Sequence, residues 1–256
     1  MKAHTLLPLH SHVPELVWLS EAAKNDKDFL GQLHTEKGNI YVFDKGYVNY
    51  GVYQRWTKEG VYLVTRINEN ASYRVLENKS VEEIEAINNG GVLKDQVIEL
   101  KPKGQNHPLQ LRLVTYIDPL TGKRLRFLTN LMDYQAITIA LLYKNRWDIE
   151  PFFKQLKQNF ELGYFYSDSS EGIKTQIWLA LIANLIFTLI HKRAKQAEAF
   201  TTIVAMAKSN LGSYVCLISI LNRSNLSPSE RNNEIVQLQI FQTIRGGVFQ
   251  NQNKSP

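Results

Sequence analysis

Hydrophobic and polar positions alternate along the first third of the chain in blocks short enough to be strands and helices of one layered domain. Ala3–Leu9 and Val13–Leu19 are β-rich runs joined by a turn at His10-Ser11-His12, which predicts a hairpin with Pro14 at its edge. Ser20 stands where a helix cap would stand, and helical spacing follows through Ala22, Ala23, Phe29, Leu30 and Leu33. Ile40-Tyr41-Val42-Phe43 is continuously apolar, as in a strand covered on both faces, and it runs into Asp44-Lys45-Gly46-Tyr47. A helix over Tyr50–Lys58 stops at Gly60, and Val61–Arg66 predicts the next strand. Strand, helix, strand, helix, strand at these lengths predicts an α/β sheet with some parallel pairing.

From 71 to 130 the pattern turns to period two, in Val92–Leu100, Leu109–Leu113 and Arg124–Leu128, the last two flanking a turn at Asp118-Pro119-Leu120-Thr121-Gly122. This predicts an all-β insertion in the α/β domain. Asp133 offers an N-cap for one long helical pattern to Phe160, and helices are expected over Glu171–Lys192 and Phe200–Leu211. Beyond Asn222 the chain is polar and expected to be partly disordered.

Composition narrows the classes. In 256 residues, 44% are hydrophobic and 11% aromatic, enough for a sizeable core. A net charge of +6 suits a polyanionic partner without requiring one. The single cysteine, Cys216, lies in the apolar stretch Tyr214–Ile218, reads as a buried hydrophobe, and leaves no disulfide framework to build. His10 and His12 have no third ligand nearby and read as turn residues. Thr175–Ile190 carries sixteen uncharged residues. That is short of the roughly 20 needed to cross a bilayer, so a core helix buried on most sides is expected.

The candidate chemistry sits at two places. Asp44 ends a strand, and in open α/β sheets ligands bind beyond the carboxyl ends of strands. On the long helix, Tyr143, Arg146, Glu150 and Lys157 fall within about 60° of one another, beside the apolar stripe of Leu142, Ile149, Phe153, Leu156 and Phe160. Arg146 and Glu150 also have the spacing of an ordinary surface ion pair. Pro151 should kink or restart the helix, which leaves the single face secure from Tyr143 to Glu150 and less so at Lys157.

Tyr143-Lys-Asn-Arg146-Trp-Asp-Ile-Glu150 followed by Lys157 resembles the Y-x2-R-x3-E-x6-K signature of bacterial insertion-sequence DDE transposases, in the branch called insertion sequence family four. Val42–Tyr47 resembles the block around that family's second catalytic aspartate, and the similarity runs from Lys2 to about Leu221. The resemblance implies a ribonuclease-H-like core over 1–70, a β-rich insertion over 71–130, the helical remainder of the core over 131–221 and a polar tail over 222–256. It also implies that Asp44 and Glu150 are catalytic, metal-binding carboxylates. They would hold Mg²⁺, for which Mn²⁺ can substitute, in a two-metal cleavage and strand transfer on double-stranded DNA. Tyr143, Arg146 and Lys157 would contact DNA phosphates. A bacterial cytoplasmic protein, with no membrane partner and paired as a homodimer on DNA, is the expected setting.

One departure qualifies this. The family's first aspartate lies on a strand just before the hairpin that opens this chain, so the sequence begins one strand late by that measure. The N-terminal domain that reads inverted repeats is not represented either. Asp26 and Asp28, the nearest acids upstream of Asp44, read as cap or surface residues. A transposase by descent that is weakly active or inactive alone is therefore expected. The alternatives are a related metal-dependent nuclease and a non-catalytic DNA-binding or dimerising fragment.

Overall fold

The computed structural model describes residues 1–9, 13–21, 23, 25–80, 91–102, 107–193 and 199–212. The His10–His12 turn, Cys216 and the polar tail lie outside the described residues. The chain divides into two compact units, Met1–Lys154 and Gln155–Pro256.

In the first unit, β1 (Lys2–Leu6) and β2 (Leu16–Ser20) form an antiparallel pair. Six further strands form one sheet: β3 (Ile40–Val42), β4 (Tyr62–Arg66), β5 (Tyr73–Lys79), β6 (Gly91–Leu100), β7 (Leu109–Ile117) and β8 (Arg124–Thr129). Their spatial order is β3-β4-β8-β7-β6-β5. β3 and β4 are parallel, with Tyr41 opposite Leu63, and the other pairings are antiparallel. The architecture is mixed α/β, as the periodicity indicates. The strands from 73 to 129 continue the sheet outward from β4 through β8.

Both faces of the sheet are covered. α1 (Lys27–Gln32) and α2 (Tyr50–Glu59) contribute Phe29, Leu30, Tyr53 and Trp56 to one core, with Leu63, Leu111, Leu113 and Leu128 from the strands. α3 (Ala136–Asn145) contributes Ile139, Ala140 and Tyr143 to the other, with Val64, Val114, Tyr116 and Phe127. Successive strand residues thus enter opposite cores, as Leu63 and Val64 of β4 and Leu113 and Val114 of β7 do. α2 begins where Asn49 Oδ1 accepts from Val52 N (3.3 Å) and ends at Gly60, whose φ of 71° suits a residue without Cβ.

Three expectations are corrected. Ser20 caps no helix: it closes β2, and the helix following it covers only Lys27–Gln32. The long helix over 133–160 is interrupted. α3 ends at Asn145, Arg146–Asp148 is a 3-10 turn, and α4 (Ile149–Asn159) starts afresh. Pro151 therefore lies in α4's first turn, where its missing N–H leaves no helical bond unmade. α3 is also capped at Gln135, two residues after Asp133 and without a side-chain bond.

In the second unit, α5 (Ser170–Arg193) meets α6 (Phe200–Asn210) through Ile203, which packs against Phe187 and Ile190. Gln155 Nε2 donates to Asn184 Oδ1 (2.8 Å), and the Phe160 and Phe187 rings lie 6.0 Å apart. The third correction concerns α5. Only Ala180, Leu181 and Asn184 are buried, whereas Trp178, Leu179, Ile182, Ile186 and Leu189 are exposed. At 24 residues it is long and apolar enough to cross a membrane by length and composition alone.

Candidate active site

Asp44 follows β3 directly, at the carboxyl end of a strand in a parallel pair, as the sequence indicates. Its Oδ1 accepts from Lys45 N (2.6 Å) and caps the one-turn 3-10 helix Lys45–Tyr47. The same oxygen accepts from the Tyr143 hydroxyl (3.3 Å). No bond to Oδ2 occurs among the described residues, so that oxygen is left for another donor or a cation.

Tyr143 comes from the last turn of α3. Its ring is 2% exposed and packs 4.8 Å from Phe127 in the core below the sheet, so only the hydroxyl reaches the carboxylate. Burial, then the negative charge of Asp44, pushes the phenol above its ordinary range, which keeps it a neutral donor. Arg146 stands in the 3-10 turn, its guanidinium carbon 5.5 Å from the Tyr143 ring centre. It reaches Glu150 in the first turn of α4 at 3.6 Å. Asp44, Tyr143, Arg146 and Glu150 therefore form one chain of contacts. The helix break does not undo the spacing, because a 3-10 turn still carries the chain forward by about three residues per turn.

The two carboxylates differ in setting. Asp44 is half-buried, whereas the Glu150 side chain is 67% exposed. Both supply hard oxygen donors of the kind Mg²⁺ prefers. No group of three or more acids, histidines or cysteines able to hold a metal occurs among the described residues. The donor type fits a divalent cation and the number of protein ligands falls short. Arg146 Nε is buried without a partner, a donor position that an incoming oxygen could satisfy. Lys157 lies on α4 in the second unit and is exposed.

Asp26 holds the N-cap position of α1 without a side-chain capping bond. It pairs with Lys2 Nζ at 2.8 Å, while Asp28 is exposed in the first turn. The periodicity gave no sign of one group behind the site. Buried His4 joins the Tyr47 hydroxyl through Nδ1 (2.9 Å) and Ser20 Oγ through Nε2 (2.9 Å), linking the hairpin to the turn after Asp44. Its members are separated by 43 and 16 residues, beyond the reach of any local pattern.

Comparison with known proteins shows the family to which the chain belongs. A family model described as the transposase DDE domain matches residues 1–186. A protein of Sinorhizobium fredii assigned as a transposase, y4zB, is 30% identical over 184 residues, covering 72% of this chain and 51% of that protein. The transposase assigned to insertion sequence element IS5377 of Geobacillus stearothermophilus is 24% identical, covering 65% of this chain and 43% of its own length. The transposase InsG for insertion sequence element IS4 of Escherichia coli is 23% identical, covering 76% and 45%. The chain spans about half the length of these relatives. With the family model running through both the Asp44 and the Glu150 segments, the chain belongs to the transposase DDE domain family.

Proposed function

We propose that this chain is part of the catalytic domain of a DNA transposase that cleaves and joins double-stranded DNA with Mg²⁺, and that alone it is weakly active or inactive. The observation that carries the reading is the contact chain Asp44–Tyr143–Arg146–Glu150 inside a matched transposase domain. Its fold is proposed as a ribonuclease-H-like core over 1–70 and 131–221 with the β-rich segment 71–130 inserted. The parallel β3–β4 pair, the helices on both faces and Asp44 at the strand end support that division. A homodimer on DNA in a bacterial cytoplasm is the setting the family suggests.

In this reading Asp44 Oδ2 and the Glu150 carboxylate hold the cation, which when bound stabilises charge on the phosphoryl oxygens. Tyr143 fixes the rotamer of Asp44 by donating to Oδ1 and so aims Oδ2 outward. Arg146 is shared between the Tyr143 face and Glu150, and its planar fork offers a phosphate two parallel donors. Lys157 adds a point charge for the DNA backbone. Two acids leave the cation short of a third protein carboxylate, which is why low activity is expected.

Metal binding and DNA nicking test this together. Mn²⁺ binding followed by electron paramagnetic resonance should be weak and should weaken further in Asp44→Ala and Glu150→Ala. A supercoiled plasmid should remain largely uncut with Mg²⁺. Mn²⁺ binding indifferent to both substitutions would remove the carboxylates from the metal site. Robust nicking that disappears in Asp44→Ala would overturn the claim of low activity.

A further inference from the structure

The turn between β7 and β8 stands at the same edge of the sheet as Asp44. β3 and β4 run parallel with Val42 opposite Val64, so Asp44 comes level with Arg66 at the carboxyl end of β4. β8 runs the other way beside β4, with Phe127 opposite Arg66. The first residue of β8, Arg124, and the turn before it therefore lie outward from that level. Two strand spacings of about 4.8 Å across and about five residues of about 3.3 Å along put the tip of the turn about 20 Å from Asp44.

This tip is firmly held, yet apolar. Asp118 is buried; its Oδ1 accepts from Leu120 N (2.9 Å) and its Oδ2 meets Lys144 Nζ of α3 (3.5 Å). Its carbonyl accepts from Gly122 N (2.8 Å), its N–H donates to Lys123 O (3.0 Å), and Gly122 takes a φ of 66°. Lys144 is itself seated over the Tyr116 ring, 5.2 Å from its centre. The anchored turn holds Pro119 and Leu120 out in water, Leu120 at 90% exposure, the highest of any large hydrophobic side chain among the described residues. Lys123 and Arg124 flank them, both exposed and neither in an ion pair among the described residues.

An apolar point beside unpaired cations, on a two-stranded ribbon with a fixed tip, is suited to entering a DNA minor groove and parting neighbouring base pairs. We propose that the β7–β8 hairpin is a DNA arm: Pro119 and Leu120 enter the minor groove as a wedge, while Lys123 and Arg124 hold the phosphates beside it. The choice of partner rests on the reading that this chain acts on double-stranded DNA. At about 3.4 Å per base pair, the wedge falls about six base pairs from a phosphate held at Asp44. At that distance the arm fixes the register of the duplex over the two acids and takes no part in the chemistry. A protein partner is the poorer occupant, because one leucine beside two like charges offers no contiguous apolar patch to bury.

Binding of the full chain to a short duplex carrying 2-aminopurine, followed by fluorescence across a salt series without divalent metal, tests this. With the wild-type chain the 2-aminopurine signal should rise as stacking is lost. Leu120→Ser should abolish that rise and weaken binding by about tenfold, with the salt slope and the thermal midpoint unchanged. Leu120→Phe should restore both the rise and the affinity. Lys123→Ala and Arg124→Ala should each lower the slope of log affinity against log salt by about 0.9. Leu120→Ser binding as the wild type does, or slopes unmoved in both cation variants, overturns the arm and leaves the catalytic reading standing. So does a Leu120→Ser variant that binds DNA normally but loses mass in sedimentation, which would assign the tip to a second copy of this chain. Absence of any DNA binding by the wild-type chain overturns the arm and the DNA reading together. Mn²⁺ binding indifferent to Asp44 and Glu150 removes the metal site alone and leaves the arm intact.

Discussion

The turn carrying Asp44 is held from behind by His4, and the protonation of that side chain can be worked out from its neighbours. The Tyr47 hydroxyl is pushed up to about 12 by burial, with Asp26 and Asp44 adding to the shift, so it stays protonated. Tyr47 then donates to Nδ1, Nε2–H donates to Ser20 Oγ, and the serine hydroxyl donates to Glu21 O at 3.4 Å. Every donor is used only when His4 is neutral. Burial lowers His4 below its ordinary 6.5, outweighing the attraction of Asp26, while Lys2 acts in the same direction as burial. Because the folded state holds this proton less tightly than the unfolded chain, the His4 contribution to stability is present above 6.5. It is lost as pH falls from that value through the lowered one. We expect an NMR titration of the His4 ring to give an apparent pKa below 6.5 and the thermal midpoint to fall alongside it. A pKa above the ordinary value would show that the site prefers the cation.

At the scale of elements, β7 shows what an alternating pattern conceals. Leu109-Gln110-Leu111-Arg112-Leu113 reads as apolar inward and polar outward, yet Arg112 is 3% exposed. Its face of the sheet is covered by α3, whose core also takes Val114 and Tyr116 of the same parity. There Arg112 makes a two-pronged pair with Asp95 of β6 (2.8 and 2.6 Å) and donates to the carbonyls of Leu131, Met132 and Tyr134. Arg112→Met would strand a buried carboxylate and should cost about 3–5 kcal/mol, whereas Arg112→Met with Asp95→Leu should recover much of it. Urea unfolding of the three proteins decides this, and equal losses in single and double variants would deny the coupling. The same contrast governs legibility elsewhere. α2 is readable because spacing, cap and Gly60 agree, whereas β5 is not, since five of its seven residues are exposed and no apolar alternation marks it. A strand end and a helical repeat made Asp44, Tyr143, Arg146 and Glu150 candidates, while the resemblance to the Y-x2-R-x3-E-x6-K signature singled them out, and the structure brings the four into contact. The break at Arg146 was signalled only by Pro151. The exposure of α5 could not be read at all, because an apolar run looks alike whether or not a neighbour covers it.

For the molecule as a whole, the question is whether its positive charge acts on DNA through the proposed site or as a diffuse field. A net charge of +6 would favour any polyanion, so affinity alone does not separate the two. Salt dependence does, because each phosphate neutralised by a cation releases condensed counterions and adds about 0.9 to the slope of log affinity against log salt. Arg146 and Lys157 are proposed to make one such contact each, so Arg146→Ala and Lys157→Ala should each reduce the slope by about that amount. Removing a carboxylate should leave the slope unchanged or strengthen binding, since Glu150, 3.6 Å from the Arg146 guanidinium, would compete with a phosphate for it. Fluorescence anisotropy on a short duplex across a salt series, with Glu150→Gln alongside, measures all of this on the intact chain. Slopes that do not move in Arg146→Ala and Lys157→Ala would place the DNA contact elsewhere on the basic surface. Slopes that fall in those two and hold in Glu150→Gln would tie the phosphate backbone to Arg146 and Lys157.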